Sequence, residues 1–127
     1  MKKIYLLILL FYSFFISNGL TEMKFVTKNI SGSSFYVDFD SIKKKSGYLY
    51  YWALTDYSET KSSGTNSIKG FYQLDCDLMR YKFMSDHAYT GNMGTGKITV
   101  NNTPDIEWNY NSPGSAGLYV NQIVCDY

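Results

Sequence analysis

Residues 48–57 read Tyr48-Leu49-Tyr50-Tyr51-Trp52-Ala53-Leu54-Thr55-Asp56-Tyr57, a run made almost wholly of side chains that favour extended chain. With a period of two, Tyr48, Tyr50, Trp52 and Leu54 share one face, and Leu49, Tyr51, Ala53 and Thr55 share the other. Apolar groups on both faces describe a central strand, either covered on both sides or offering one side to a partner. A sheet is therefore the organising element, and the neighbouring segments must supply its other strands.

Upstream, Phe35, Val37 and Phe39 alternate with Tyr36, Asp38 and Asp40, the pattern of a half-buried strand. Residues 41–47, with Lys43, Lys44 and Lys45 and a closing Gly47, read as a hairpin tip. Downstream, residues 58–66 form a polar loop, and residues 67–76 a third strand in which Tyr72, Leu74 and Cys76 share one phase. A turn near Asp77 leads to a fourth strand over residues 78–84, where Met79, Tyr81 and Phe83 alternate with Arg80 and Lys82. The fifth is expected to be interrupted by Gly91, Gly94 and Gly96 and to resume at 97–100. A turn at 101–105 with Pro104 precedes a sixth, at 106–110, that carries Trp108. Pro113, Gly114 and the N-cap residue Ser115 announce a helix to about Asp126, with Val120, Ile123, Val124 and Tyr127 as its core-facing stripe. On that stripe Cys125 lies about 100° outside the apolar arc.

The start of the chain has a different character. Lys2 and Lys3 precede an apolar run over residues 4–16 broken only by Ser13, and Ser17, Asn18 and Gly19 follow. This is the order of a secretory signal, with cleavage expected after Gly19 and residues 20–127 as one mature domain. The run is too short to span a bilayer, so no transmembrane segment is expected after cleavage. The whole chain carries 12 basic and 11 acidic side chains, a net charge of +1, which argues against nucleic acid as a partner. Two Cys in an exported chain are expected to pair, closing a loop of about 50 residues between Cys76 and Cys125.

Chemistry-bearing groups are sparse. The single His, His87, stands beside Asp86, but no nucleophile completes a catalytic set and no cluster suits a metal. The run from Gly91 to Gly96 lacks the Lys-Ser/Thr ending of a phosphate loop, so its glycines are read as bending a strand. No catalytic residue, cofactor or metal is expected. The candidates for contact with a partner are the cationic group Lys43, Lys44 and Lys45 and the rings Tyr50 and Trp52, since Tyr and Trp bring large contact area at low entropy cost.

Taken in order, Tyr36-Val37-Asp38, Trp52-Ala53-Leu54, Asp75-Cys76, the stretch from Tyr89 to Gly96, Glu107-Trp108, Pro113-Gly114-Ser115 and Cys125 form a set that resembles the bacterial surface-adhesin protein E family over residues 33–125. The resemblance implies an α+β fold: a six-stranded antiparallel sheet with a C-terminal helix packed on the concave face and tied by one disulfide. It implies export to the periplasm or surface of a Gram-negative envelope, and adhesin-like binding to host matrix or serum proteins or to an envelope partner through the sheet or a loop edge. It also allows a homodimer. The competing reading is a small periplasmic enzyme or enzyme inhibitor.

Overall fold

The computed structural model describes residues 22–127, so the expected signal segment and its cleavage point lie outside the described residues. Among these, six strands follow one another: β1 (Lys24–Lys28), β2 (Ser34–Lys45), β3 (Tyr48–Asp56), β4 (Ser67–Asp75), β5 (Arg80–Tyr89) and β6 (Ile98–Asn102). A helix, α1 (Ala116–Asp126), comes last. Each strand pairs antiparallel with the next, so sheet order equals chain order and no connection has to cross the sheet. The expected α+β architecture is the observed one.

Several boundaries differ from the sequence reading. β2 runs on through the three lysines, and the hairpin tip is only Ser46 and Gly47, both with positive φ (53° and 84°). A two-residue turn of that kind matches the twist of the flanking strands. β1 was not expected; it is a short edge strand whose five residues begin and end in Lys. β5 is continuous from Arg80 to Tyr89, and the glycines after it do not bend a strand. They form a loop with a 3₁₀ turn at Asn92–Gly94, in which Gly94 and Gly96 take φ of 72° and 81°. Residues 106–110 make no strand beyond one bridge, Tyr81 to Asn109, while β6 occupies part of the expected turn at 101–105.

The core lies between the sheet and α1. Val37, Tyr51, Ala53 and Leu74 from the sheet meet Val120 and Val124 from the helix. We call this the inner face. Tyr51 is fully buried; its ring stacks on Tyr72 at 5.3 Å and its hydroxyl donates to Asn121 Oδ1 at 3.1 Å. Burial pushes the Tyr51 and Tyr72 phenols above their usual range, so both stay protonated. Gly70 sits in the row Val37, Ala53, Gly70, where a Cβ would come within 2.9 Å of the Tyr72 ring. Its missing side chain is what lets that ring lie along the strand. Beside it a cleft of about 240 Å³ remains under α1, lined by Phe35, Tyr51, Tyr72, Phe83, Val120 and Asn121.

The helix is rotated from its expected pose. Ser115 caps it as expected, its Oγ accepting from the Leu118 amide. However, the buried residues are Val120, Asn121 and Val124, and Tyr127 is exposed. At 100° per residue this moves the buried stripe about 60° away from Tyr127 and toward Cys125. The driving group is Asn121, a polar residue brought inward by its bond to Tyr51, which an apolar count passes over. The rotation also resolves how Cys125 reaches the sheet: it bonds Cys76, one residue past β4.

The turn from β4 to β5 depends on Asp75. Its carboxylate accepts from the amides of Asp77 (3.1 Å) and Leu78 (3.3 Å) and from Arg80 Nε (2.8 Å). The bond from Arg80 holds the Asp75 carboxyl below the usual carboxylate range; partial burial opposes this, and the two amides reinforce it. Because the folded value is depressed, the contribution of Asp75 to stability is complete above about pH 4 and is lost as pH falls through the lower folded value. Urea midpoints between pH 7 and pH 2 should therefore fall less steeply for Asp75→Asn than for the wild-type chain. Identical slopes would show that this carboxylate does not couple to folding.

Candidate functional site

The face of the sheet turned away from α1 forms a lattice of rings and cations. Strand pairing places Lys43, Tyr50, Gln73 and Lys82 in one row across β2, β3, β4 and β5. The next row holds Asp38, Trp52, Phe71 and Ser85, and the one beyond it Tyr36, Leu54, Lys69 and His87. On the other side of the first row, Lys45 pairs with Tyr48 and Asp75 with Arg80. We call this the outer face.

Two bulges decide which side chains reach it. Between Asp38 and Lys43 the chain advances five positions on β2, whereas β3 moves back only two, from Trp52 to Tyr50, which leaves three extra residues on β2. Alternation has period two, so an odd excess exchanges the faces. Lys43 and Lys45 consequently join Tyr50 and Tyr48 on the outer face, and Lys44, opposite Leu49, takes the inner side. The hydroxyl of Ser41 bridges the interruption, donating to the Asp38 carbonyl (2.6 Å) and accepting from the Trp52 amide (2.9 Å). On β5 the extra residue is Met84, between Phe83 and Ser85. It turns Asp86 to the row of Gly70 on the inner face, and His87 to the row of Lys69 on the outer one.

The rings are tilted against one another and only half buried. Trp52 lies 5.1 Å from Phe71, Tyr50 lies 6.0 Å from Phe71, and Lys69 Nζ stands 5.2 Å from the Trp52 ring. Gln73 Nε2 donates to the Tyr50 hydroxyl at 3.0 Å, which fixes the phenol and leaves its own proton without an acceptor among the described residues. Trp108 comes over the sheet from the 105–110 segment, 5.3 Å from Tyr48, with Arg80 and Lys82 at 4.4 and 4.7 Å from its ring centre. That segment is fastened by Asp105, whose carboxylate accepts from the Phe83 amide (2.9 Å) and from Asn109 Nδ2 (2.6 Å). At the opposite end, the glycine loop covers Leu54. There Asp56 accepts from the Met93 amide at 2.8 Å, and Ser67 Oγ accepts from the Gly94 amide at 2.9 Å.

The charges on this face are unbalanced. Arg80 is engaged by Asp75, which holds the guanidinium firmly charged. Among the described residues no carboxylate pairs with Lys43, Lys45, Lys69 or Lys82. Of the residues singled out from sequence, the structure thus assembles Lys43, Lys45, Tyr50 and Trp52 and separates Lys44. It adds Lys69, Phe71, Gln73, Lys82 and Trp108. A signal for these existed in the alternation Lys69-x-Phe71-x-Gln73 and in Arg80 and Lys82, out of phase with the inward Tyr81 and Phe83.

The remaining candidates do not converge. Asp86 and His87 face opposite sides of β5, so adjacency in sequence creates no dyad, and His87 Nδ1 is buried without a partner among the described residues. Among the described residues no group of His, Cys, Asp and Glu is arranged to hold a metal, and no helix is long and apolar enough to cross a membrane.

Residues 24–126 match the family model described as surface-adhesin protein E. Three solved structures of Haemophilus influenzae protein E share the fold. The selenomethionine form has a TM-score of 0.61 at 13% identity, covering 84% of this chain and 91% of that one. A second crystal form gives 0.59 at 14% identity over 84% and 92%, and a further structure 0.54 at 15% over 84% and 89%. No curated protein matches the chain.

Proposed function

Since the chain belongs to the surface-adhesin protein E family, we propose that it is an exported, adhesin-like binding protein of the cell envelope. In this reading the outer sheet face is its contact surface, and the partner is a host matrix or serum protein, or a neighbour in the envelope. The observation that carries it is the outer face itself: half-buried rings fixed by neighbours, interleaved with lysines that no carboxylate among the described residues pairs. Rigid rings bring contact area at small entropic cost, and surrounding charges act on encounter.

The test is binding of the mature domain to immobilised matrix proteins, serum proteins and envelope extract, with Tyr50→Ala and Lys44→Gln compared. Tyr50→Ala should raise the off-rate about tenfold or more, as for the loss of a central anchor. Lys44→Gln, on the inner side, should leave it unchanged. Equal off-rates for wild type and Tyr50→Ala would move the contact surface off this face.

A further inference from the structure

Resting on that reading of the outer face, we propose that its ligand is a linear acidic polysaccharide, a sulfated or uronate-bearing glycan chain of the kind carried on matrix proteins. The first argument is charge. Without residues 1–19 the chain has 10 basic and 11 acidic side chains, nearly neutral, yet four lysines with no carboxylate partner among the described residues gather on one face. Of the acids on that face, Asp75 is engaged by Arg80 and Asp56 by the glycine loop, and Asp38 is buried with its Oδ1 unpartnered among the described residues, which leaves one buried acid against four lysines. Such segregation in a neutral protein leaves a local field that a polyanion complements.

The second argument is geometry. Lys43 and Lys82 close the two ends of one row, three strand spacings or about 14 Å apart. Lys69 lies four residues from Gln73 along β4, and Lys45 two residues from Lys43 along β2. The charges are thus spread over the sheet with rings between them, an arrangement for a repeating anion. A sugar ring has apolar C–H faces and polar edges, so it lies flat on Tyr50, Trp52 or Phe71 while its acidic substituents reach the lysines, which are long enough to follow them. The Tyr50 hydroxyl, whose oxygen accepts from Gln73 and whose proton has no acceptor among the described residues, is a donor for a sulfate or carboxylate in the middle of the row. Nucleic acid would also stack on rings, but domains that bind it through phosphates carry a strong net positive charge, and this chain does not.

The experiment titrates the mature domain with heparin-derived oligosaccharides of defined length, chemically desulfated heparin, single-stranded DNA and polyglutamate. The expected result is tightest binding to the sulfated oligosaccharide, with log K falling linearly against log salt. Lys69→Gln and Lys82→Gln should each weaken binding about fivefold and flatten that slope. Trp52→Ala should weaken binding to the sulfated oligosaccharide more than to polyglutamate, whereas Lys44→Gln should change neither. Unaltered affinity in both Lys69→Gln and Lys82→Gln overturns the proposal, and so does DNA or polyglutamate binding as tightly as the sulfated glycan. Adherence to cell layers separates this from the broader reading. Loss of adherence after lyases strip the acidic glycans supports the proposal. Adherence that survives stripping, and still depends on Tyr50, overturns the glycan and keeps a protein partner. Absence of binding to cells, matrix and envelope alike overturns both.

Discussion

Reduction of the Cys76–Cys125 bond, or Cys125→Ser, is expected to cost up to about 4 kcal/mol of unfolding free energy, the loop-closure value for a separation of 49 residues. For a domain of this size that corresponds to a fall in Tm of roughly 15–30 °C. The reason lies in what else holds α1. It has eleven residues, too few for a stable helix in water by itself, and it buries only Val120, Asn121 and Val124. Without the covalent tie its docking must offset the ordering of the whole C-terminal segment. Urea unfolding with and without reductant, followed by far-UV circular dichroism, measures the difference. A change below about 1 kcal/mol would mean that packing alone retains the helix.

Tyr51→Ala should be of similar size, about 3–5 kcal/mol, because a fully buried ring is replaced by a cavity that also removes the stacking surface of Tyr72. Tyr51→Phe separates the two roles of the residue. It keeps the volume and deletes the hydroxyl, leaving the inward amide of Asn121 without its bond from Tyr51, which should cost about 1–3 kcal/mol. The two sites are coupled through α1. When the disulfide is reduced and the helix undocks, the Tyr51→Phe penalty should shrink toward zero, since Asn121 is then solvated in both proteins. Additive losses in the double variant would show that the helix stays in place without its tie.

The parts of the fold that sequence reading recovers are those where alternation is uninterrupted. β3 is the clearest example: Leu49, Tyr51 and Ala53 do line the core, and Tyr48, Tyr50 and Trp52 do face away. The cap at Ser115 follows from an equally local rule, and the pairing of the cysteines, although long-range, from there being only two of them in the sequence. What escapes is whatever depends on a long-range partner. β1 has little apolar content and exists because β2 offers it a free edge. Residues 106–110 have strand-like composition, but the edge of β5 they would join is shared, with β6 on 86–89 and only the Asn109 bridge at Tyr81. The helix stripe departs from its apolar pattern because Asn121 is buried by a hydrogen bond that no hydropathy pattern contains.

For the outer face the limit was register. Tyr50 and Trp52 could be assigned to one side from their own strand, but Lys43, Lys69 and Lys82 belong to three other strands. Their meeting in adjacent rows rests on where Ser41 and Met84 interrupt the pairing, and neither residue advertises a bulge.

The interruption at β2 makes chain length there a variable of a different kind from side-chain identity. A substitution at Lys43 or Lys45 edits one charge, but the loss or gain of a single residue between 39 and 42 leaves both on their face, because the two-residue turn at Ser46–Gly47 holds them opposite Tyr50 and Tyr48. The change has to be absorbed in the interruption itself, or by residues 34–38, whose Val37 sits in the core. The turn therefore insulates the cationic border from length changes at the bulge, and a residue gained or lost at the turn, by contrast, would exchange the lysines between the two faces. Drift in this surface is to be sought at two turn residues as much as among the lysines.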